Sequence, residues 1–130
     1  MTKYLLDTHT AIWALMGSDE KLSAKAKDII ADRTVELSVS IASAWEIAIK
    51  ISKGGKITDV NSVAVFIDKL CENGVKILGI TAEEVKTIES LPFIHNDPFD
   101  RAIIATAKNK GLTVVSVDEN ICKYDVACLW

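Results

Sequence analysis

Residues 4–15 read YLLDTHTAIWAL, and this stretch decides the fold. A short, mostly apolar run from Lys3 to Leu6 ends at Asp7, and an apolar pattern of helical spacing begins at Ala11. A strand that leads into a helix is typical of a parallel sheet, because parallel neighbours must be joined by a long crossover. We therefore predict a strand, a turn and a helix, with Asp7 where the strand ends.

The same alternation continues along the rest of the chain. A Thr81–Glu84 capping box and the Asp97–Pro98 pair mark two helix starts, and Gly74 and Gly111 mark two helix ends. Alternating strands and helices predict an α/β sandwich, in which helices cover both faces of a parallel sheet. Strands are predicted at 3–6, 35–38, 75–80, 113–117 and 126–129, helices at 11–15, 23–32, 41–51, 61–73, 81–90, 97–111 and 119–124, and a loop at 52–59.

The composition predicts one globular domain over residues 1–130. Hydrophobic residues make up 49% of the chain and charged residues 25%, which argues against extended disorder. No apolar run is long enough to span a membrane and no signal peptide is recognisable, so we expect a cytoplasmic protein. The three cysteines, Cys71, Cys122 and Cys128, show no C-x-x-C spacing, so neither a disulfide framework nor a zinc site is expected.

The charge balance bears on nucleic-acid binding. Fifteen basic and eighteen acidic residues give a net charge of −3, which argues against a protein that binds nucleic acid by bulk attraction to phosphates. The objection is answered if acidic charge is concentrated in one pocket and neutralised there by divalent cations. Most of the acids lie on polar helix faces or in loops, and four do not.

Glu46 is an acid in an apolar setting. It is the only charged residue between Ile41 and Ile49, and its helical neighbours are alanines, isoleucines and a tryptophan. An inward-facing carboxylate must shift its pKa, find a cation or bind a metal, because desolvating an unpaired charge costs several kcal/mol. The alternative is a surface ion pair with Lys50, one helical turn away.

Asp100 lies three, four and seven residues before Ile103, Ile104 and Ala107, so helical spacing places it on their face. Its alternative is a favourable interaction with the dipole of the helix in whose first turn it lies. Asp97, directly before Pro98, is interpreted as the cap of that helix.

Asp7 and Asp118 each follow an apolar strand. Ligands of open parallel sheets bind outside the carboxyl ends of the strands, where both side chains would project. Their alternative is turn or capping chemistry, which aspartate performs routinely. If Asp7, Glu46, Asp100 and Asp118 converge, their mutual repulsion requires raised pKa values or divalent cations, and hard oxygen ligands select Mg²⁺ or Mn²⁺ over Zn²⁺.

At these residues the chain resembles the PIN-domain nucleases, in particular the VapC-type toxins of toxin–antitoxin pairs. The resemblance depends on four segments in order, which are YLLDTHTAIWAL, SIASAWEIAIK, LPFIHNDPFDRAIIATA and LTVVSVDENICKYDV. It implies a three-layer α/β/α sandwich with a five-stranded parallel sheet. It also implies an endoribonuclease that depends on Mg²⁺ or Mn²⁺, with RNA as the substrate and the ribose 3′ oxygen as the leaving group.

The resemblance assigns roles by position. Asp7, Glu46, Asp100 and the more variable Asp118 match the family's catalytic, metal-binding acids, and Thr8 and Ser116 match hydroxyl positions beside them. It assigns no role to His9 or His95. It also implies a cognate antitoxin and a homodimer, for which the segment 12–16 and the helix 41–51 are candidate interfaces, with core packing as the alternative.

Three other functions would require different features of the chain. A catalytically silent PIN-like module would bind RNA or protein through the same surface without cleaving RNA, and four intact acids disfavour it. A phosphatase of the haloacid dehalogenase type requires a second aspartate where His9 stands. A response-regulator receiver requires a phosphoacceptor aspartate at the third strand, and the segment 75–80 has none.

Overall fold

The computed structural model describes residues 2–55, 57 and 60–130 of the chain. Its central feature is a five-stranded sheet with the strand order β3-β2-β1-β4-β5, in which every neighbouring pair is parallel. The predicted five-stranded parallel sheet is therefore confirmed. The strands are β1 (Lys3–Leu6), β2 (Glu36–Ser40), β3 (Lys76–Leu78), β4 (Thr113–Val115) and β5 (Cys128–Leu129).

Helices connect the strands and form the outer layers. None of the helices within the described residues is long and apolar enough to cross a membrane. The helices are α1 (Thr8–Leu15), α2 (Ala24–Ala31), α3 (Ile41–Ser52), α4 (Val63–Glu72), α5 (Ala82–Ser90), α6 (Pro98–Lys110) and α7 (Glu119–Cys122), with a single 3₁₀ turn at Asp19–Lys21.

The alternation of side chains along β1 builds two cores. Leu6 points to one face of the sheet, where it packs in a cluster with Val39 of β2 and Val115 of β4. Leu5 points to the other face and joins a cluster with Val114 and Ile103. Because successive strand residues face opposite sides, two adjacent leucines join both helical layers to the sheet.

Local signals set the helix boundaries close to where they were predicted. The Thr81–Glu84 capping box is present, Asp97 caps α6 with Pro98 in its first turn, and Gly111 follows α6 at φ +65°. The strand β1 has its predicted bounds, and β2 begins and ends later than predicted. The other three strands are shorter than predicted, because only residues that pair with a neighbour belong to the ladder. The predicted loop 52–59 includes Lys56, Thr58 and Asp59, which lie outside the described residues.

The segment 12–16 packs against the core, which is the alternative given for it, and its use as an interface stays a prediction. Ile12 is fully buried, and Trp13, Leu15 and Met16 pack against the same cluster as Leu6. Helix α3 is different, because Trp45 remains 58% exposed.

A disulfide joins Cys122 and Cys128, although the cysteine pattern predicted none. The helix α7 is short, and the chain then turns back so that β5 pairs beside β4. This reversal brings the two Cα atoms to 5.5 Å, a separation that spacing in the sequence does not reveal. Cys71 is free and exposed.

Glu84 is a buried carboxylate that ties α5 to α6. Its side chain accepts hydrogen bonds from the Thr106 hydroxyl at 2.8 Å and the Lys110 ammonium at 3.1 Å, while it also completes the capping box. Removing a buried charge that has such partners is costly in folding free energy, because the partners are left without an acceptor. Its contribution is therefore to stability.

We predict that Glu84→Ala lowers the free energy of unfolding by about 2–4 kcal/mol, because it leaves buried donors unpaired. Glu83→Ala is the matched control, since Glu83 is exposed on the same turn and should change stability by about 0.5 kcal/mol or less. Urea denaturation of the two variants measures both values. Equal losses in the two variants would contradict this role of Glu84.

Candidate functional site

The candidate site lies at the carboxyl edge of the sheet, beside its central strand. Chain order reverses at β1, since β2 lies on one side of it and β4 on the other. Asp7 directly follows β1, and Ser116 directly follows β4. Such a reversal leaves a crevice between the outgoing connections, and this is where open α/β sheets bind ligands.

A cavity of about 450 Å³ opens at this edge. Five carboxylates line it, four of them being the acids that were singled out in the sequence. The lining residues are Asp7, Thr8, His9, Trp13, Glu46, Lys50, Asp97, Asp100, Val117 and Asp118.

Asp7 is held by the ends of two elements. One carboxylate oxygen accepts the Thr10 N–H at 2.9 Å and so caps α1, while the other accepts the Ser116 hydroxyl. Burial raises the pKa of Asp7, although these hydrogen bonds act in the opposite direction. The cap interpretation and the site interpretation of Asp7 therefore both apply.

Glu46 is buried on α3 and pairs with Lys50. The Lys50 ammonium lies 3.1 Å from its carboxylate, and about half of the Lys50 side chain is exposed. The ion pair that was the alternative to a site role is therefore present, but it is made at the cavity rather than on an open helix face. Lys50 brings a positive charge to a site that is otherwise rich in carboxylates.

Asp100 lies in the first turn of α6, where its side chain is mostly buried. Burial raises its pKa to about 7, with further contributions from the charges of Asp97, Asp118 and Asp7, while a hydrogen bond with His95 opposes the rise. Asp97, Asp118 and Asp7 therefore lie close enough to Asp100 to repel its negative charge.

Asp97 and Asp118 each cap a helix and line the cavity. Asp97 accepts the N–H groups of Phe99 and Asp100 at 2.9 and 3.0 Å, and Asp118 accepts the N–H of Asn120 at 2.8 Å. The prediction that Asp97 caps α6 is confirmed. A cap engages one carboxylate oxygen and leaves the second available to the cavity.

The two predicted hydroxyl residues lie beside the acids. Ser116 donates to Asp7 and accepts the N–H of Asp118 at 3.0 Å, so that it joins the two strand-end aspartates. Thr8 donates to the Ser43 hydroxyl at 2.8 Å and lines the cavity.

Three residues near the acids were not recognised from the sequence as part of a site. His9 and Lys50 both line the cavity. The sequence indicated Lys50 only as a helix neighbour of Glu46. His95 had no assigned role, yet its Nε2 atom lies 3.2 Å from the Asp100 carboxylate. The i,i+4 spacing could have indicated Lys50, whereas the position of His95 depends on how the loop before α6 folds back.

The donor set tests whether a divalent cation fits here. Carboxylate oxygens from several elements are the ligands that Mg²⁺ and Mn²⁺ prefer, and a cation would relieve the repulsion that raises the pKa of Asp100. In the described part of the chain, however, no three His, Cys, Asp or Glu side chains are arranged to hold an ion. The chemistry therefore fits, and binding would require the carboxylates to come closer together than they lie in this structure.

Known proteins share this architecture. The family model of the PIN domain matches residues 4–127. The fold is similar to that of VapBC2 from Rickettsia felis, solved bound to a DNA fragment from their promoter, with a TM-score of 0.72, 12% identity and 98% coverage of both chains. FitAcB from Neisseria gonorrhoeae gives a TM-score of 0.62 and 19% identity, over 98% of this chain and 96% of that one. No curated protein matches the chain in sequence.

We predict that Asp100→Asn stabilises the metal-free protein at pH 8 and does so to a smaller extent at pH 5. The pKa of Asp100 in the folded protein, about 7, exceeds its ordinary value of 3.8. The folded state therefore retains a proton that the unfolded state releases, and stability falls as the pH rises between these values. Asparagine removes this loss.

Thermal unfolding in EDTA at both pH values measures the effect. One pKa unit corresponds to about 1.4 kcal/mol, so even a third of the shift should raise Tm by roughly 3–5 °C at pH 8. A variant that is equally destabilised at pH 5 and pH 8 would show that the raised pKa of Asp100 does not govern the effect.

Proposed function

Since the chain belongs to the PIN-domain family, whose members are generally nucleases, we propose that it is a metal-dependent endoribonuclease. We further propose that it is the VapC-type toxin of a type II toxin–antitoxin pair, acting as one domain over residues 1–130. The observation that carries the proposal is the meeting of Asp7, Glu46, Asp100 and Asp118, from four separate elements, around one cavity.

The residues of the site would have different roles in phosphodiester hydrolysis. Asp7, Glu46, Asp100 and Asp118 would hold Mg²⁺ or Mn²⁺, which when bound neutralises phosphate charge and makes water a better nucleophile. Lys50 can donate to a phosphate oxygen, because its ammonium already lies in the cavity.

The net negative charge of the chain is compatible with an RNA substrate. The cavity concentrates acidic side chains, and cations bound there reverse the sign of the local field that a phosphate meets. Affinity for RNA would then depend on the divalent cation and on a few basic residues rather than on a broad basic face.

The partners are proposed on the same basis. A cognate antitoxin would cover the acidic cavity. The toxin would also form a homodimer and act in the cytoplasm. Large apolar side chains that remain exposed, including Trp45 and Phe93, support the presence of a protein partner. The similarity to VapBC2 supports the same proposal at the level of the fold.

One observation favours a second candidate, the catalytically silent PIN-like module that binds RNA or protein. The carboxylates are engaged by donors of the chain itself, and no three of them within the described residues are arranged around an ion position. If these contacts never open, the surface binds without cleaving.

We predict that the protein cleaves RNA in Mn²⁺ or Mg²⁺ and that EDTA abolishes cleavage. Glu46→Gln and Asp7→Asn should each reduce the cleavage rate by about 100-fold or more, because each removes one negative charge from the site. Glu119→Gln is the matched control, since Glu119 is exposed and lies beside Asp118 without lining the cavity. The assay follows fragment formation from an RNA pool by gel electrophoresis.

RNA that is bound but left intact in Mn²⁺ would favour the silent module. Turnover of a small phosphomonoester in place of RNA would instead identify a phosphatase. Cleavage that survives in both acid variants would point to a contaminating nuclease and would overturn the assignment.

We predict that Lys50→Met weakens RNA binding and lowers its dependence on salt. Loss of one phosphate contact to single-stranded RNA should reduce the slope of log K against log salt by about 0.7. Lys53→Met provides the comparison, because Lys53 is exposed one turn further along and does not line the cavity. Binding is measured by fluorescence anisotropy with Ca²⁺ in place of Mg²⁺, and identical slopes for both variants would exclude a phosphate contact by Lys50.

A further inference from the structure

Arg101 is a buried cation that holds the segment before α6. Its side chain is almost wholly inaccessible. The guanidinium donates to the main-chain oxygens of Ile88 at 3.1 Å, Leu91 at 3.3 Å and Pro92 at 2.9 Å. These bonds fix the end of α5 and the beginning of the following loop against α6.

The same guanidinium also fixes Tyr124. It donates to the Tyr124 hydroxyl at 3.1 Å, and the hydroxyl in turn lies 2.9 Å from Nδ1 of His95. The main-chain N–H of His95 donates to the same hydroxyl at 3.3 Å. The ring and the backbone of His95 are thus both oriented by one phenol oxygen, which is itself held by a buried arginine.

The chain of contacts ends at the site. The other ring nitrogen of His95, Nε2, lies 3.2 Å from Oδ2 of Asp100. An ionised carboxylate only accepts hydrogen bonds, so Nε2 carries the hydrogen toward it. In a neutral ring Nδ1 is then an acceptor, and the single hydrogen of the Tyr124 hydroxyl can be donated either to Nδ1 at 2.9 Å or to the main-chain oxygen of His95 at 3.2 Å.

We propose that His95 is a positioning residue for the candidate metal site, which holds the Asp100 carboxylate in place through the Arg101–Tyr124–His95 chain of hydrogen bonds. The inference rests on the proposed function only in taking Asp100 as a ligand of the cation. His95 engages one oxygen of Asp100 and leaves the second for the cation. The residues behind metal ligands commonly change metal affinity 10- to 100-fold when they are removed.

The test is Mn²⁺ binding to the full chain without RNA, measured by isothermal titration calorimetry. His95→Ala should weaken Mn²⁺ binding by about 10- to 100-fold. His95→Gln keeps an N–H donor at similar reach and should remain within about threefold of the parent. Tyr124→Phe removes the hydroxyl that orients the ring and should weaken binding by roughly 10-fold.

Asn96→Ala is the control for general loosening of the loop, since Asn96 is the exposed neighbour of His95 and has no contact with Asp100 in the described structure. Thermal unfolding identifies variants that fail to fold, and the comparison of His95→Gln with Tyr124→Phe remains decisive if His95→Ala is one of them. Parent-like Mn²⁺ affinity in Tyr124→Phe and in a folded His95→Ala would overturn the proposal. So would a His95→Gln variant that binds no better than His95→Ala.

The two proposals fail in different ways. A parent protein that binds Mn²⁺ and leaves RNA intact removes the ribonuclease assignment, while the ranking of the variants still tests His95. A parent protein that binds no Mn²⁺ overturns the positioning role together with the metal site.

Discussion

Repulsion between carboxylates is the constraint on which this structure depends. The fold delivers acids from the ends of β1 and β4 and from helices α3 and α6 to one cavity, where burial and mutual charge raise the pKa of Asp100 to about 7. Such a cluster persists because each acid is held by a donor of the chain itself. The sheet and its two cores supply the folding free energy that offsets the local cost of keeping the carboxylates together.

Helix capping and ligand binding are compatible uses of one aspartate. Asp7, Asp97 and Asp118 cap α1, α6 and α7, and all three line the cavity. A carboxylate has two oxygens, so in Asp97 and Asp118 one oxygen accepts N–H groups at the helix start and the other is left for the cavity. In Asp7 the second oxygen accepts the Ser116 hydroxyl. Helices that begin at the carboxyl edge of a parallel sheet therefore bring acids to that edge through their caps alone.

The sequence was sufficient for features governed by local rules and insufficient for those governed by long-range folding. The position of α6 followed from Asp97, Pro98 and Gly111, and the location of Asp7 followed from its place after β1. The contact between His95 and Asp100 was not predictable, because the His95 ring is oriented by Tyr124, which lies 29 residues further along the chain and is itself held by Arg101. The Cys122–Cys128 disulfide was missed for a similar reason, since it depends on how the chain reverses between α7 and β5.

The two adjacent leucines of β1 have a consequence for tolerance to insertions. Leu5 and Leu6 enter different cores, and the residue after them is Asp7. A one-residue slip of β1 would exchange the two leucines between layers and carry the aspartate away from its partners on β4. The register of β1 that packs both cores correctly is therefore also the register that places Asp7 at the crevice.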